Sequence, residues 1–243
     1  MIATKAHIIA QLQKDILPLQ GFKHTLNDTA LDLPLGPLSA AFPNAVFPVG
    51  AIHEFISANA EDTAASGGFI SGLLASLMHS DGAALWISAS RTVFPPALQS
   101  FGIAPDRIIF VDLQKEKDVL WATEEALKCG GLAAVVAEMP ELNFTASRRL
   151  QLVVEQSRVT GFILRRNPRQ LTTTACVTRW KIRSLPSVLP GDMPGIGFPR
   201  WNVELLKVRN GKPGTWQMEW AAGRFHPIQL LTPVLEELQM KTG

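Results

Sequence analysis

The chain has 243 residues, of which 47% are hydrophobic and 18% are charged, and its formal net charge at pH 7 is +2. This composition is typical of a single globular domain and argues against a disordered chain. No apolar run approaches roughly 18 residues and the N-terminus lacks a signal-peptide pattern, so we expect no contact with a membrane. Cys129 and Cys176 show no metal-ligand spacing, which indicates free thiols in a reducing cytoplasm.

The first 50 residues predict one helix and a connecting segment. Ala3 to Leu17 is amphipathic at helical spacing, and Pro18 predicts the end of that helix. Residues 18–48 are rich in proline, leucine and alanine and predict a strap of short strands and turns. We divide the chain into an N-terminal helix and strap (1–30), a core (31–185), and a C-terminal hairpin and tail (186–243) that belong to the same domain.

Beyond residue 50, strands and helices alternate, which predicts an α/β fold with a mostly parallel sheet covered on both faces. The predicted strands are 51–56, 83–88, 107–111, 132–137 and 160–165, and the predicted helices are 67–79, 94–101, 116–129 and 144–157. The pattern then becomes antiparallel, with a strand at 173–183 and a hairpin of 201–208 and 215–221 around Asn210-Gly211. Residues 186–199 predict a loop. Thr232 and Pro233 predict the start of a short terminal helix.

Residues 50–87 have the layout of a phosphate-binding strand–loop–helix unit without its lysine. The small, polar segment Ser57 to Ser66 predicts a loop, and Gly67-Gly68 predicts the start of the next helix. In a working phosphate loop, backbone amides hold the phosphates, a lysine reaches the β and γ oxygens, and a Ser or Thr hydroxyl holds Mg²⁺. No lysine occurs between Lys23 and Lys115. The sequence therefore favours an ordinary connection between two elements over ATP hydrolysis.

Six residues are candidate remnants of a degenerate nucleotide site. They comprise hydroxyls and glycines of the predicted loop, a serine that follows the second strand, and an acid at the end of the fourth strand that could stand on the Mg²⁺ side. They are Thr63, Ser66, Gly67, Gly68, Ser90 and Glu138. We predict no catalytic residue, no metal site and no cofactor.

Positive charge is concentrated in the second half of the chain. Residues 1–120 carry 7 basic and 11 acidic side chains, whereas residues 121–243 carry 16 basic and 10 acidic ones. Between 145 and 183, nine basic residues stand against Glu155 alone, a density that suits a DNA backbone or an acidic protein partner. A solvated helix face explains Arg148, Arg149 and Arg158 equally well. The candidate DNA- or partner-binding residues are therefore Arg165, Arg166, Arg169, Arg179, Lys181 and Arg183.

The order of elements over residues 31–183 resembles the core of RecA-type recombinases. Residues 47–54 resemble the entry into the phosphate-loop strand, and residues 85–90 resemble the strand with the catalytic glutamate, with Ser90 in the place of that glutamate. Residues 131–139 resemble the Walker B strand, with Glu138 where an aspartate is expected. Only short connectors stand where recombinases carry mobile DNA-binding loops, which argues against filament formation and strand exchange.

Over nearly its whole length, the chain resembles the ImuA family of RecA-like proteins, also labelled SulA-like. The resemblance is carried by Leu120–Leu127, Arg148–Leu152, Arg200–Leu205 and Arg209–Gly214. It implies an accessory protein of DNA-damage-induced mutagenesis. Members of the family work with ImuB, a polymerase-like protein without polymerase activity, and with an error-prone replicative-type polymerase, and they contact RecA.

We therefore expect a non-enzymatic, cytoplasmic RecA-like adaptor of translesion synthesis in the SOS response, with DNA as a further candidate ligand. Two alternatives remain open. One is a SulA-like cell-division inhibitor that binds the tubulin-like division protein. The other is a weak ATPase whose lysine comes from a neighbouring subunit or from Lys115 or Lys117.

Overall fold

Six parallel strands form the centre of the fold, in the order β3-β2-β4-β5-β1-β6. The computed structural model describes residues 33–78, 82–189 and 197–228. The parallel strands are β1 (Ile52–Ser57), β2 (Ala83–Ser88), β3 (Ile108–Asp112), β4 (Leu132–Met139), β5 (Thr160–Arg166) and β6 (Thr178–Leu185). Between them run the helices α1 (Ala60–Leu77), α2 (Glu116–Leu127) and α3 (Phe144–Ser157). The predicted α/β fold with a mostly parallel sheet is confirmed, and it is consistent with a RecA-like core.

Three antiparallel strands continue the same sheet beyond β6. They are β7 (Arg200–Val208), β8 (Gly214–Ala221) and β9 (Arg224–Pro227), and each is hydrogen-bonded to the strand before it. The predicted hairpin around Asn210 is confirmed, and Asn210 has the positive φ of 58° that such a turn requires. The strand β9 was not predicted. It follows a tight turn in which Ala222 and Gly223 have positive φ angles of 51° and 74°.

The two faces of the sheet support separate cores. On one face, α1 packs against an aromatic cluster that includes Phe55, Trp86 and Trp180. On the other face, α2 and α3 cover aliphatic residues of the parallel strands such as Val135 and Ile163. The antiparallel strands bury their alternate apolar residues on the α1 face only, as expected for strands that are solvated on one side. The face of the sheet opposite α1 is therefore polar along β6, β7 and β8.

The predicted loop at 57–66 is wrong, because α1 begins at Ala60 and not at residue 67. Asn59 is the N-cap of this helix, and its side chain accepts a hydrogen bond from the Asp62 amide at 2.7 Å. Glu61 and Asp62 then provide the acidic first turn that helix N-termini favour. This Asn-x-x-Asp pattern was the signal in the sequence for the earlier start. The small residues that read as a loop are the first two turns of the helix.

Three smaller predictions also change. The helix at 94–101 is a 3-10 helix, Pro95–Phe101, which ends at Gly102 in a left-handed conformation. The strand at 173–183 begins at Thr178, and in the segment before it the carbonyls of Thr172, Thr174 and Ala175 accept hydrogen bonds from cationic side chains. The described part of the strap contains two 3-10 helices, Gly36–Ala41 and Pro43–Ala45, and no strand.

Some predicted elements lie outside the described residues. These are the helix at Ala3 to Leu17, the first part of the strap, the centre of the loop at 186–199, and the terminal helix at Thr232. Within the described part of the chain, no helix is both long enough and apolar enough to cross a membrane.

Candidate functional site

The connection between β1 and α1 stands where a phosphate-binding loop would lie, and it contains two residues. Ser57 ends the strand, Ala58 and Asn59 follow, and the helix begins at Ala60. In addition to the Asn59 cap, the Asp62 carboxylate accepts a hydrogen bond from the Ala58 amide at 3.3 Å. A helix N-terminus attracts anions through its free amides and its dipole. Here protein side chains already occupy that position, and a phosphate would meet two carboxylates in the first turn.

The hydroxyls predicted for the nucleotide site are used within the protein. Thr63 Oγ1 donates to the Asn59 carbonyl at 2.8 Å, and Ser66 Oγ lies 3.1 Å from Ser57 Oγ at the buried end of β1. Ser66 has no exposed surface. These two hydroxyls therefore connect α1 to its own N-cap and to the neighbouring strand.

The glycines of α1 serve helix–sheet packing. A Cβ atom at Gly68 would lie 3.3 Å from the Trp201 ring, and one at Gly72 would lie 2.6 Å from the Phe225 ring. At Gly67, a Cβ atom would meet nothing within 4 Å. Absence of a side chain at Gly68 and Gly72 lets the aromatic residues of the antiparallel strands approach the helix backbone. The structure therefore explains Gly68 by packing and gives no such reason for Gly67.

Glu138 lies at the end of β4, in register with Ser88 of β2, and is almost completely buried. Its carboxylate accepts hydrogen bonds from Trp86 Nε1 at 2.7 Å and from Thr92 Oγ1 at 2.9 Å. The Arg166 guanidinium lies 3.6 Å from the same carboxylate. A Mg²⁺-side acid needs a carboxylate that faces the nucleotide, whereas the Glu138 carboxylate is buried and each of its oxygens already accepts a protein hydrogen bond.

Ser90 lies beyond the end of β2 and is exposed. Its carbonyl accepts a hydrogen bond from Arg166 Nη1 at 3.3 Å, so it lies near the Glu138 cluster. The structure thus brings Ser90 and Glu138 together through Arg166, at the same edge of the sheet as Ser57 and Ser66. It does not assemble Thr63, Gly67 and Gly68 into a cradle of backbone amides.

The six predicted basic residues do not form one surface. Arg165 has no exposed side-chain area, so it cannot face DNA or a partner, and that part of the prediction is wrong. Arg166 points to the opposite face of the sheet, where it meets Glu138. Arg169 is exposed on the β5–β6 connector, and Arg179, Lys181 and Arg183 alternate along the polar face of β6. Four of the six residues therefore remain on or near one side of the molecule.

Arg165 belongs to a buried ionic cluster around Glu54, a residue that the sequence analysis did not identify. Glu54 lies in β1 and has no exposed surface. It accepts hydrogen bonds from Arg165 Nη1 at 2.9 Å, from Arg179 Nε at 2.8 Å and from Thr174 Oγ1 at 2.8 Å. A buried carboxylate requires such partners because desolvation otherwise disfavours its charged form. The signal in the sequence was an acid inside an otherwise apolar strand.

The same cluster fixes the two connectors that follow β4 and β5. Arg165 Nη2 donates to Glu141 and to the Gln170 carbonyl, both at 3.1 Å. The Arg169 amide donates to Glu141 at 2.9 Å, and Ser147 of α3 accepts from the Ala175 amide at the same distance. These contacts tie residues 140–142 to residues 167–175. The connectors are therefore short, cross-linked segments of defined conformation.

Two further buried groups have strongly shifted pKa values and no contact with the exterior. Burial lowers the pKa of His53 to about 3, against the opposing effect of its bond to the Pro48 carbonyl. His53 lies between this carbonyl at 2.9 Å and Thr178 Oγ1 at 2.8 Å. Burial likewise raises the pKa of the Cys176 thiol to about 12, with a further contribution from Glu54. Both groups are neutral at pH 7 and serve the packing of the sheet.

A metal site would need several His, Cys, Asp or Glu side chains directed at one point. Across residues 33–78, 82–189 and 197–228, no group of three or more is arranged in that way. Three described acids are buried: Glu54 and Glu138 lie beside arginines and accept from neutral donors, and Asp62 accepts from the Ala58 amide at the start of α1.

Comparison with known proteins gives a clear relationship. The chain is 35% identical over 213 residues to Protein ImuA of Caulobacter vibrioides, in each of two strains of that species. The match covers 82% of this chain and 87% of the Caulobacter protein. No protein-family model matches the chain.

Proposed function

The chain belongs to the ImuA family, and on that premise we propose that it is a non-enzymatic RecA-like adaptor of DNA-damage-induced translesion synthesis. Family membership supports a role in the mutagenesis system that ImuA shares with ImuB. The proposed partners are an ImuB-like protein, an error-prone replicative-type polymerase and RecA.

One observation carries the non-enzymatic part of the proposal, namely the connection of two residues between β1 and α1. A phosphate-binding loop needs several consecutive backbone amides that converge on one point. Two residues cannot supply them, and Asp62 already accepts a hydrogen bond from the Ala58 amide. The carboxylates of Glu61 and Asp62 in the first turn of α1 repel a triphosphate electrostatically.

The geometry around Glu138 supports the same conclusion. ATP hydrolysis needs an acid that holds Mg²⁺ or orients the attacking water. Both oxygens of Glu138 are bonded to Trp86 and Thr92, and Arg166 stands beside them. Lys115 and Lys117, the two lysines that could replace the missing one, lie at the start of α2, which packs on the face of the sheet opposite α1. Among the described residues, we identify no lysine at the β1–α1 connection and no open carboxylate beside it, and phosphoryl transfer requires both.

Loss of the nucleotide site leaves the sheet order and the packing of α1 intact. The chain can therefore present the outline of a RecA-like core to a partner without a nucleotide-dependent change of shape. An adaptor of this kind would hold its partners equally well in the presence and absence of ATP.

Isothermal titration calorimetry with Mg-ATP tests the non-enzymatic part directly, with RecA as the positive control. We expect no saturable heat for this chain at millimolar nucleotide, and no release of phosphate above the rate without protein. Saturable binding in the micromolar range would overturn the proposal and favour an ATPase. A Glu138→Gln variant serves as the matched control, because it should behave like the wild type in both assays.

A further inference from the structure

A row of three cationic side chains lies along the segment between β5 and β6. Arg179 Nη2, Lys207 Nζ and Arg209 Nη2 each donate to a main-chain carbonyl of this segment, at 2.6, 2.8 and 3.0 Å. The acceptors are the carbonyls of Thr172, Thr174 and Ala175. Arg179 and Lys207 are also directly opposite each other across β6 and β7. We refer to Arg179, Lys207 and Arg209 as the cationic row.

The cationic row carries more positive charge than its surroundings neutralise. Glu54 accepts from Arg179 but also from Arg165, and Glu141 is the other carboxylate in this network. With Arg165 included, four cations therefore face two carboxylates among the described residues. Burial lowers the pKa of Lys207, and the charges of Arg179 and Arg209 act in the same direction, against the opposing effects of Cys176 and Glu54. This repulsion would be relieved by an anion.

The row is accessible from the polar face of the sheet. Helices α2 and α3 pack on β1, β2 and β4, while the side chains of Lys207 and Arg209 remain half-buried at the end of β7. Farther along β6, Arg183 lies 3.5 Å from Glu204, so its charge has a local partner. The uncompensated charge is therefore concentrated where β6 begins and β7 ends, next to the connector between β5 and β6, which also carries the exposed Arg169.

The cationic row keeps hydrogen-bond donors that no residue in the described part of the chain uses. The Lys207 ammonium has three protons and the Arg209 guanidinium has five N–H groups, and each gives one hydrogen bond to a carbonyl. Cations that combine a fixed position with unused donors are suited to phosphate oxygens. Because no described aromatic side chain lies exposed on β6 or β7, the surface offers no stacking platform for bases.

We propose that the cationic row binds the phosphate backbone of DNA, without selecting a base sequence. The proposal deepens the adaptor function and rests on it for its biological role. Its residues differ from those of the sequence prediction, because it adds Lys207 and Arg209 and excludes Arg165 and Arg166. Arg183 is not part of the cationic row, since its charge is compensated by Glu204. Through this contact, the protein would hold DNA beside the partners that it collects.

Fluorescence anisotropy with a fluorescein-labelled oligo(dT) strand tests the proposal at several salt concentrations. Three phosphate contacts give a slope of about −2 in the plot of log affinity against log salt. The double variant Lys207→Gln/Arg209→Gln keeps side chains that can donate to the same carbonyls, and we expect its slope to fall to about −1. The control Lys128→Gln/Arg224→Gln removes the same charge from other elements and should retain the wild-type slope. Equal slopes for both double variants would overturn the proposal.

Chemical footprinting of the wild-type protein gives a second test that needs no variant. Acetylation of lysines with a succinimidyl acetate, read by mass spectrometry, should modify Lys207 several-fold less when oligo(dT) is bound, while Lys128 is unaffected. Equal modification of Lys207 with and without DNA would contradict the proposal.

Two other outcomes separate this proposal from the adaptor function. If the protein does not bind DNA at low salt and the double variant fails to capture the ImuB-like protein, the cationic row is a protein-binding surface and the adaptor function stands. Failure to capture any partner, with DNA binding retained, would instead refute the adaptor function.

Discussion

Replacement of Arg165 by alanine would distinguish a buried structural arginine from a DNA-binding one. The variant leaves Glu54 buried with one arginine partner instead of two, and it removes the bonds from the Arg165 side chain to Glu141 and to the Gln170 carbonyl in the two connectors. Breaking a buried ion pair costs about 3–5 kcal/mol. Because Arg179 still contacts Glu54, we expect a loss near the lower limit, about 3 kcal/mol in the free energy of unfolding.

Urea denaturation, followed by tryptophan fluorescence, measures this loss. A protein of this size loses about 2–4 °C of melting temperature for each kcal/mol, so the thermal midpoint should fall by roughly 6–12 °C. Arg169→Ala is the matched control, since this exposed side chain on the connector that follows β5 should change stability by less than about 0.5 kcal/mol. Arg165→Met should lose less stability than Arg165→Ala, because methionine keeps more of the buried side-chain volume while Glu54 retains Arg179 as its partner in both variants. Wild-type stability in Arg165→Ala, together with weaker DNA binding, would refute the assignment of Arg165 to the core.

Three further predictions concern other buried positions. His53 has a pKa of about 3 in the folded chain and 6.5 in the unfolded chain, so only the unfolded state takes up a proton as the pH falls through 6.5. The free energy of unfolding should therefore drop by about 2 kcal/mol between pH 7 and pH 5. Urea unfolding at several pH values should show a much smaller drop for His53→Phe. Gly72→Ala should destabilise the protein by about 1–3 kcal/mol, because its Cβ would lie 2.6 Å from an aromatic carbon of Phe225 in β9. Gly67→Ala should stabilise it by about 0.5–1 kcal/mol, because a Cβ there meets nothing within 4 Å. Equal midpoints for the two variants in thermal unfolding would contradict the packing argument. A thiol reagent such as Ellman's reagent should titrate the exposed Cys129 in the native protein and reach the buried Cys176 only after unfolding, and two fast thiols in the native state would show that the sheet is open there.

Periodicity was sufficient to predict most of the described fold. Continuous apolar strands such as Leu132–Met139 and the amphipathic helix Phe144–Ser157 have one strong pattern each, and both appear within two residues of their predicted limits. The start of α1 was missed because alanine, serine and glycine are compatible with loops as well as helices. Its position was decided locally by the Asn59 cap and globally by the close packing of Gly68 and Gly72 against aromatic rings.

The candidate site was harder to predict, because the sequence shows where charges occur but not on which side of a sheet they lie. Arg165 and Arg166 are adjacent in the chain, yet strand geometry sends them to opposite faces, one to Glu54 and the other to Glu138. Lys207 joins Arg179 only through the antiparallel pairing of β6 and β7. Contacts between residues so distant in sequence cannot be found from local patterns.

A side-by-side pull-down tests the central claim most directly. The tagged chain would be incubated with a purified ImuB-like protein, with RecA and with the tubulin-like division protein, each with and without ATP. We predict that the ImuB-like protein or RecA is captured to the same extent under both conditions. Capture that requires ATP, or capture of the division protein alone, would contradict the account of a RecA-like adaptor that works without nucleotide.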